Sequence, residues 1–292
     1  MGRRVIELLL EAGAGPIVAG TRDPAKLADF AARGVTVRKL DFDEDVAALS
    51  QAFRGVDRAL IISTDKLDGT EARLHQHERA VEAAARAGVK HVLYTSMPHP
   101  DPDSPVPFAY QHRGTEEAIQ RSGMSWTLLR NNWYTDLLVQ FGTLAQAIAT
   151  GTFAAASGDG GAALVTREDC ARAAAAALAS TDTTNRIYNI TGPDVVTGRD
   201  LAAIATEISS REVRYLSLAP EAFKEALVTH GVPEGLADVL VGSDIAQKLG
   251  QFAPATTDVL ALTGRQPTSV RDFIHAHKAA ILHPQPARAA TH

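Results

Sequence analysis

The chain has 292 residues, a formal charge of −5 at pH 7 and a single cysteine, Cys170. Its 45% hydrophobic and 22% charged residues exclude wholesale disorder, and a chain of this length buries a core without disulfides or a structural metal. The mild acidity argues against a nucleic-acid-binding protein, and one cysteine excludes both an intramolecular disulfide and a cysteine-based zinc site. No run approaches the roughly 18 apolar residues of a membrane span, so a soluble, cytoplasmic protein is expected.

The first 130 residues alternate short β-branched runs with longer helical stretches. The runs that indicate buried strands are 17–20, 35–38, 59–62, 92–94 and 126–129. The helical stretches are 4–12, 24–33, 44–53, 71–87 and 114–121. Asp23-Pro24 predicts a helix start, with an N-cap followed by Pro at the first helical position. This alternation is typical of βαβ units, and it predicts an α/β fold with a parallel sheet.

The pattern changes after residue 130. Helices are predicted over 137–150, 167–179, 198–209 and 220–230, with a loop over 151–161 and a strand over 187–191. These elements predict a second, mainly helical lobe over residues 131–292, from which residues 187–191 return to the sheet of the first domain.

The beginning of the chain differs from a usual doubly wound nucleotide-binding sheet. There the first strand leads through a Gly-rich turn into a helix whose N-terminus holds pyrophosphate. Here the first predicted element is a helix, and Gly2 stands where the last glycine of that turn would be. Either the chain lacks the strand, or the sequence begins at a wrong methionine or was cut. We expect the second, because losing a central strand leaves two neighbours without ladder partners.

Motifs spread over about residues 2 to 275 carry a family resemblance. They are TRDPAK at 21–26, YTS at 94–96, His112 with Thr115 and Glu116, LRNNWY at 129–134, GDG at 158–160, TRED at 166–169, GVP at 231–233 and LTGRQPT at 262–268. On these residues the chain resembles the NmrA-like family of atypical short-chain dehydrogenases/reductases. Its NADPH:quinone oxidoreductase type 2 branch matches best, with triphenylmethane reductase a near relative.

This resemblance implies a Rossmann-like, doubly wound parallel sheet over residues 1–130 that binds NADP(H), and a smaller substrate lobe over 131–292. It implies hydride transfer from NADPH to a quinone or a similar planar acceptor, without nucleic-acid or membrane partners. A homodimer is also considered. The alternative is a redox-sensing regulator that binds the dinucleotide without turnover. The family's Gly-rich strand-turn is missing apart from Gly2, a candidate cofactor-binding residue.

Arg22 follows the predicted strand 17–20, where Rossmann geometry faces the adenosine ribose 2′ oxygen. An arginine there suits the 2′-phosphate of NADP(H), and Lys26, four residues on, adds charge. The alternative is that Arg22 only solvates the strand end. Polar residues also end or follow the predicted strands 59–62 and 92–94, at the carboxyl edge where ligands collect. The resemblance makes these residues cofactor-binding candidates: Ser63, Thr64, Tyr94, Thr95 and Ser96.

The catalytic candidates implied by the resemblance are His112, Asn131 and Tyr134. Ordinary short-chain dehydrogenases pair a Tyr with a Lys four residues later, but here that register reads Phe108 to His112. Since Phe cannot donate a proton, an electron-poor conjugated acceptor is favoured over a simple ketone. A purely structural His112 remains the alternative.

Asn132 and Trp133 are predicted to line the acceptor site, the alternative being ordinary packing. Two His-x-His pairs, at 75–77 and 275–277, lack carboxylate or cysteine neighbours. We therefore expect no metal.

Overall fold

The computed structural model describes residues 1–65 and 70–284. The chain divides into two compact units. Unit 1 consists of Met1–Asn131, Glu168–Ile190 and Asp258–Arg265, and unit 2 consists of Asn132–Arg167, Thr191–Thr257 and Gln266–His292. The units interleave along the chain.

Unit 1 contains a parallel α/β arrangement. Its strands are β1 (Val18–Thr21), β2 (Thr36–Lys39), β3 (Arg58–Ile61), β4 (His91–Ser96), β5 (Ser125–Asn131) and β8 (Arg186–Ile190). Its helices are α1 (Gly2–Glu11), a 3-10 turn (Pro24–Leu27), α2 (Ala28–Ala31), α3 (Val46–Phe53), α4 (Ala72–Arg86), α5 (Ala109–Arg121), α8 (Arg167–Ala179, from its second residue on) and α12 (Asp258–Thr263). The prediction of an α/β fold with parallel strands is confirmed.

The strands of unit 1 form two parallel ladders. One joins β1 to β2, and the other has the order β3-β4-β5-β8, so that the segment expected to return to the sheet pairs with β5. Within the described part of the chain, β1 pairs only with β2, and β3 pairs only with β4 among the strands. All six residues of β4 are buried, as in a parallel strand that is covered on both faces.

The core of unit 1 packs α3 and α4 against the longer ladder. Its largest buried side chains include Leu49, Ile61, Tyr94, Ile119 and Leu128. A smaller cluster around Phe30 packs beside β1 and β2, with Ile6 and Leu10 of α1 against it. The predicted cap at Asp23 is present, because its carboxylate accepts a hydrogen bond from the Ala25 N–H at 3.1 Å.

Unit 2 is mainly helical. Its helices are α6 (Leu137–Gln140), α7 (Thr143–Thr150), α9 (Gly198–Ser209), α10 (Pro220–Thr229), α11 (Glu234–Lys248), α13 (Val270–Ala276) and α14 (Lys278–Leu282). Its short strands are β6 (Thr152–Ala155) and β10 (Arg214–Ser217), which pair in parallel, and β7 (Gly161–Ala162) and β9 (Val196–Thr197), which pair antiparallel.

Two sequence predictions for unit 2 are wrong. The single helix expected over 137–150 is interrupted at Gly142, whose φ of +67° lies in the left-handed region and stops the helix. The loop expected over 151–161 contains β6, which forms because a partner strand lies about 60 residues further along the chain. Among the described residues, no helix combines the length and the apolar character that crossing a membrane requires.

Candidate functional site

The basic residues predicted for the 2′-phosphate lie after β1. Arg22 and Lys26 are both exposed. Within the described residues, the Arg22 guanidinium makes no hydrogen bond or ion pair with the protein, and it therefore fits an anionic ligand. Arg3 of α1 donates to the Lys26 carbonyl oxygen at 2.7 Å and pairs with Asp29, which ties α1 to this segment.

Gly2 is the first residue of α1 and lies beside the end of β3. A Cβ atom added at Gly2 would stand 3.4 Å from Cδ1 of Ile62, at ordinary contact distance. The N-terminus of α1 therefore lies near the carboxyl end of a parallel strand, where helix N–H groups favour anions. Contact between Gly2 and pyrophosphate stays a prediction.

Hydrogen bonds that involve the N–H, the hydroxyl and the carbonyl oxygen of Thr64 hold the segment after β3. Its N–H donates to Nε2 of His77 at 3.0 Å, and its hydroxyl donates to Oε1 of Gln76 at 2.9 Å. Its carbonyl oxygen accepts from Nε of Arg73 at 2.7 Å. Ser63 is held from the other side, because its N–H donates to Oγ1 of Thr95 at 2.9 Å. The structure thus brings three predicted cofactor-binding residues together.

The side chains that hold Thr64 belong to a larger buried group, called here the α4–α5 cluster. Its members come from the first turns of two helices and from β4: Arg73, Gln76, His77, Tyr94, Gln111, His112 and Thr115. Arg73 donates to Oε1 of Gln111 at 3.0 Å and to Nε2 of His112 at 3.1 Å. The Tyr94 hydroxyl lies 3.0 Å from Nδ1 of His112 and 3.3 Å from Nδ1 of His77.

Gly114 allows the two helices of this cluster to approach closely. A Cβ atom there would stand 2.9 Å from Cδ1 of Leu74 on α4, so a larger residue would push α4 and α5 apart or displace Leu74. The glycine lies between His112 and Thr115 in the sequence, where α5 faces α4. Close helix packing therefore brings the polar residues of both helices within hydrogen-bonding distance.

The environment of the cluster keeps its histidines neutral. Burial, and next the charge of Arg73, lower the pKa of His77 to about 3. The same two causes, in the same order, lower the pKa of His112 well below its ordinary value. Burial raises the pKa of Tyr94 above that of an exposed tyrosine. Neither histidine changes its charge near neutral pH, and nor does Tyr94.

Ser96 is part of a second buried group at the end of β4. Its hydroxyl donates to Oε1 of Glu116 at 2.6 Å. Arg130 at the end of β5 donates to both carboxylate oxygens, at 3.0 and 2.7 Å. This bidentate pair links α5 to β5. The Ser96 hydroxyl, which the sequence analysis assigned to cofactor binding, is bonded to Glu116.

The motif at 131–134 spans the boundary between the two units in the chain. Asn131, the last residue of β5, is buried in unit 1. In unit 2, Asn132 donates to the Phe252 carbonyl oxygen at 2.9 Å, and the Trp133 ring stacks on Phe252 at 6.1 Å between centroids. The Tyr134 ring lies 5.1 Å below the Arg167 guanidinium.

The predicted roles of these residues stay predictions. Both ring nitrogens of His112 bond to protein groups, Tyr94 is fully buried, and the Asn132 amide holds the segment around Phe252. Sequence reasoning missed the residues that surround the candidates. A signal existed, since Arg73, Gln76 and His77 on α4 and His112, Thr115 and Glu116 on α5 repeat at helical spacing among apolar residues.

A parallel α/β sheet with polar side chains at its carboxyl ends, and an exposed arginine after β1, define a dinucleotide-binding protein. The described residues contain no group of three or more histidine, cysteine or acidic side chains arranged to hold a metal ion. Comparison with known proteins agrees with this class. A model of the NAD(P)H-binding family matches residues 1–181, and the chain belongs to that family.

Two of the similar proteins are named as reductases. The chain is 36% identical over 275 residues to Quinone oxidoreductase 2 of Escherichia coli, covering 94% of each protein. It is 31% identical over 282 residues to NAD(P)H azoreductase of Xenophilus azovorans, covering 96% of each.

Solved structures of related reductases have the same fold. The NADPH complex of the E. coli quinone oxidoreductase superposes with a TM-score of 0.87, at 36% identity over 94% of this chain and 95% of that one. The structure of Citrobacter triphenylmethane reductase with NADP(H) superposes with a TM-score of 0.85, at 33% identity over 94% of this chain and 95% of that one. The resemblance predicted from the sequence motifs is confirmed.

Proposed function

We propose that this protein is an NADPH-dependent reductase that transfers hydride to a quinone or a similar planar conjugated acceptor. The observation that carries the proposal is the state of the hydroxyl groups at the end of β4. The Tyr94 hydroxyl is fully buried among histidines, and the Ser96 hydroxyl donates to Glu116. A simple ketone needs a proton as hydride arrives, whereas a quinone accepts hydride directly. The similarity to the E. coli quinone oxidoreductase supports the same acceptor class.

The residues present fit NADPH. The exposed Arg22 guanidinium suits the 2′-phosphate, Lys26 adds charge, and Gly2, the first residue of α1, is assigned to the pyrophosphate. The segment of Ser63 and Thr64 is assigned to the ribose and nicotinamide. Thr95 holds that segment through the Ser63 N–H, and Tyr94 and Ser96, whose hydroxyls bond to protein groups, are proposed to contribute backbone atoms at the end of β4. When bound, NADPH supplies the hydride.

The remaining candidates are assigned to orientation of the reacting groups. His112, Asn131 and Tyr134 are proposed to orient the nicotinamide and the acceptor. Asn132 and Trp133 are proposed to present a flat surface to the acceptor, supported by the half-buried Trp133 ring that stacks on Phe252. Holding the acceptor in line with the hydride donor is the protein's main contribution to the rate.

The test is NADPH oxidation in the presence and absence of a naphthoquinone, with NADH alongside. We expect oxidation that depends on the quinone and prefers NADPH. The Arg22→Ala variant should raise the KM for NADPH about tenfold and leave that for NADH nearly unchanged, since only NADPH carries the 2′-phosphate. Arg54→Ala, at an exposed arginine that follows α3, is the matched control.

Two results would contradict the proposal. If Arg22→Ala left the ratio of the KM values for NADPH and NADH unchanged, the assignment of Arg22 to the 2′-phosphate would be wrong. Tight NADP⁺ binding by a folded protein without quinone-dependent oxidation would favour a redox-sensing regulator instead.

The proposal also includes a cytoplasmic location, where NADPH is regenerated, and a homodimer, which sedimentation velocity would test.

A further inference from the structure

The proton positions in the α4–α5 cluster follow from groups that can only donate. A guanidinium has no acceptor atom, and a backbone N–H donates only. Nε2 of His112 therefore accepts from Arg73, and Nε2 of His77 accepts from the Thr64 N–H. Since both imidazoles are neutral, each carries its proton on Nδ1.

The two Nδ1–H groups point toward the same place. His112 donates to the Tyr94 oxygen at 3.0 Å. His77 lies 3.1 Å from Oγ1 of Thr115 and 3.3 Å from the Tyr94 oxygen. Thr115 in turn donates its own proton to the Gln111 carbonyl oxygen at 2.7 Å, so its hydroxyl accepts from His77. The donors Arg73 and Thr64 thus determine the direction of the hydrogen bonds from both histidines.

Arg73 connects the two parts of this arrangement. Its Nε holds the Thr64 carbonyl oxygen at 2.7 Å, while its two Nη atoms reach Gln111 and His112 on α5. The side chain is buried, at 3% exposure, and the guanidinium plane offers donors in a fixed fork. A lysine has a single nitrogen at its end and cannot serve acceptors on two sides of a planar fork in the same way.

We propose that Arg73 is a positioning residue of the reductase. It selects the Nδ1–H tautomer of His112 and holds the Ser63–Thr64 segment at the carboxyl edge of β3. Without this donor, His112 takes up the Nε2–H tautomer in part of the molecules, and Tyr94 donates to Nδ1 instead. The effect on catalysis rests on the proposed function; the effect on the tautomer does not.

The first test reads the tautomers in the protein without cofactor. In protein labelled with ¹⁵N-histidine at neutral pH, the two ring-nitrogen shifts distinguish Nδ1–H from Nε2–H, and the variants His112→Gln and His77→Gln assign the resonances of these two rings. We expect Nδ1–H for His77 and His112 of the wild type. Arg73→Lys should shift His112 toward Nε2–H and leave His77 as Nδ1–H, because the Thr64 N–H still donates to it.

The second test is kinetic. Arg73→Lys should raise the KM for NADPH about tenfold, with kcat changed less, because the cofactor-facing segment loses a charge-assisted donor. Arg79→Lys is the matched control, since Arg79 lies on the same helix but donates to the Phe42 carbonyl oxygen.

The outcomes separate this proposal from the proposed function. A wild-type His112 with its proton on Nε2 overturns the role of Arg73, whatever the folding of the variant. Arg73→Lys with wild-type tautomers and a wild-type KM overturns it as well. Absence of quinone turnover in the wild type would refute the proposed function, and the tautomer measurement would still decide on Arg73.

Discussion

Lowering the pH from 7 to 5 should destabilise unit 1 through its buried histidines. In the folded protein, burial and then Arg73 lower the pKa of His77 to about 3, against about 6.5 in the unfolded chain. Below pH 6.5 the unfolded chain therefore binds more protons than the folded chain. Stability is fully present above pH 6.5 and is lost as the pH falls from 6.5 toward 3.

The size of the effect follows from the unfolded pKa and the pH. At pH 5 the unfolded imidazole lies about 1.5 pH units below its pKa, and each unit is worth about 1.36 kcal/mol. His77 alone then costs about 2 kcal/mol of unfolding free energy. His112, whose pKa is lowered mainly by burial and next by Arg73, acts in the same direction. Tyr94, which faces both rings, does not titrate in this interval.

The assay compares wild type with His77→Gln in urea unfolding at both pH values. Glutamine can accept from the Thr64 N–H and donate to Thr115, as His77 does, but it does not titrate. The loss of unfolding free energy between pH 7 and pH 5 should therefore be about 2 kcal/mol smaller in the variant than in the wild type. All other titrating groups cancel in this comparison.

His75→Gln is the matched control, because His75 lies on the exposed face of the same helix. The reasoning would be refuted if His77→Gln retained the full pH dependence of the wild type. An equal loss in the His75 variant would also refute it, since the effect would then not arise from burial.

Two further predictions concern stability. Glu116→Gln should destabilise the protein by about 2 kcal/mol, because it breaks the bidentate pair with Arg130 in a buried setting; Glu117→Gln, at an exposed neighbour, should cost less than about 0.5 kcal/mol in the same denaturation experiment. Gly192→Ala should lower the unfolding free energy by about 3 kcal/mol, since the new Cβ would stand 2.0 Å from a backbone oxygen. Gly235→Ala, in open space on α11, should stabilise the protein slightly. Equal melting temperatures for the two variants would contradict this prediction.

Local sequence patterns predicted much of unit 1. The β-branched runs became β1 to β5, and Asp23-Pro24 began a helical turn with its carboxylate capping Ala25. These features depend on residues within a few positions of one another, so their spacing is visible in the sequence. The same holds for Arg22, whose position after a strand indicates its exposure at the sheet edge.

Pairings over long distances were not predictable in this way. The strand β6 exists because it pairs with β10, and the helix expected over 137–150 breaks at Gly142. Arg73 and His112 are 39 residues apart, and nothing near either one indicates the other as its partner. Their contact depends on how closely α4 and α5 approach, which the missing side chain of Gly114 permits.

The sequence by itself determined the fold class, the NAD(P)H-binding family and the residues at the strand ends. Tertiary structure alone decided which hydroxyl groups are occupied and which histidine nitrogens carry protons. The physical reason is that secondary structure and turns follow from short-range propensity. Hydrogen-bond direction and pKa instead follow from burial and from charges that packing brings together across the chain.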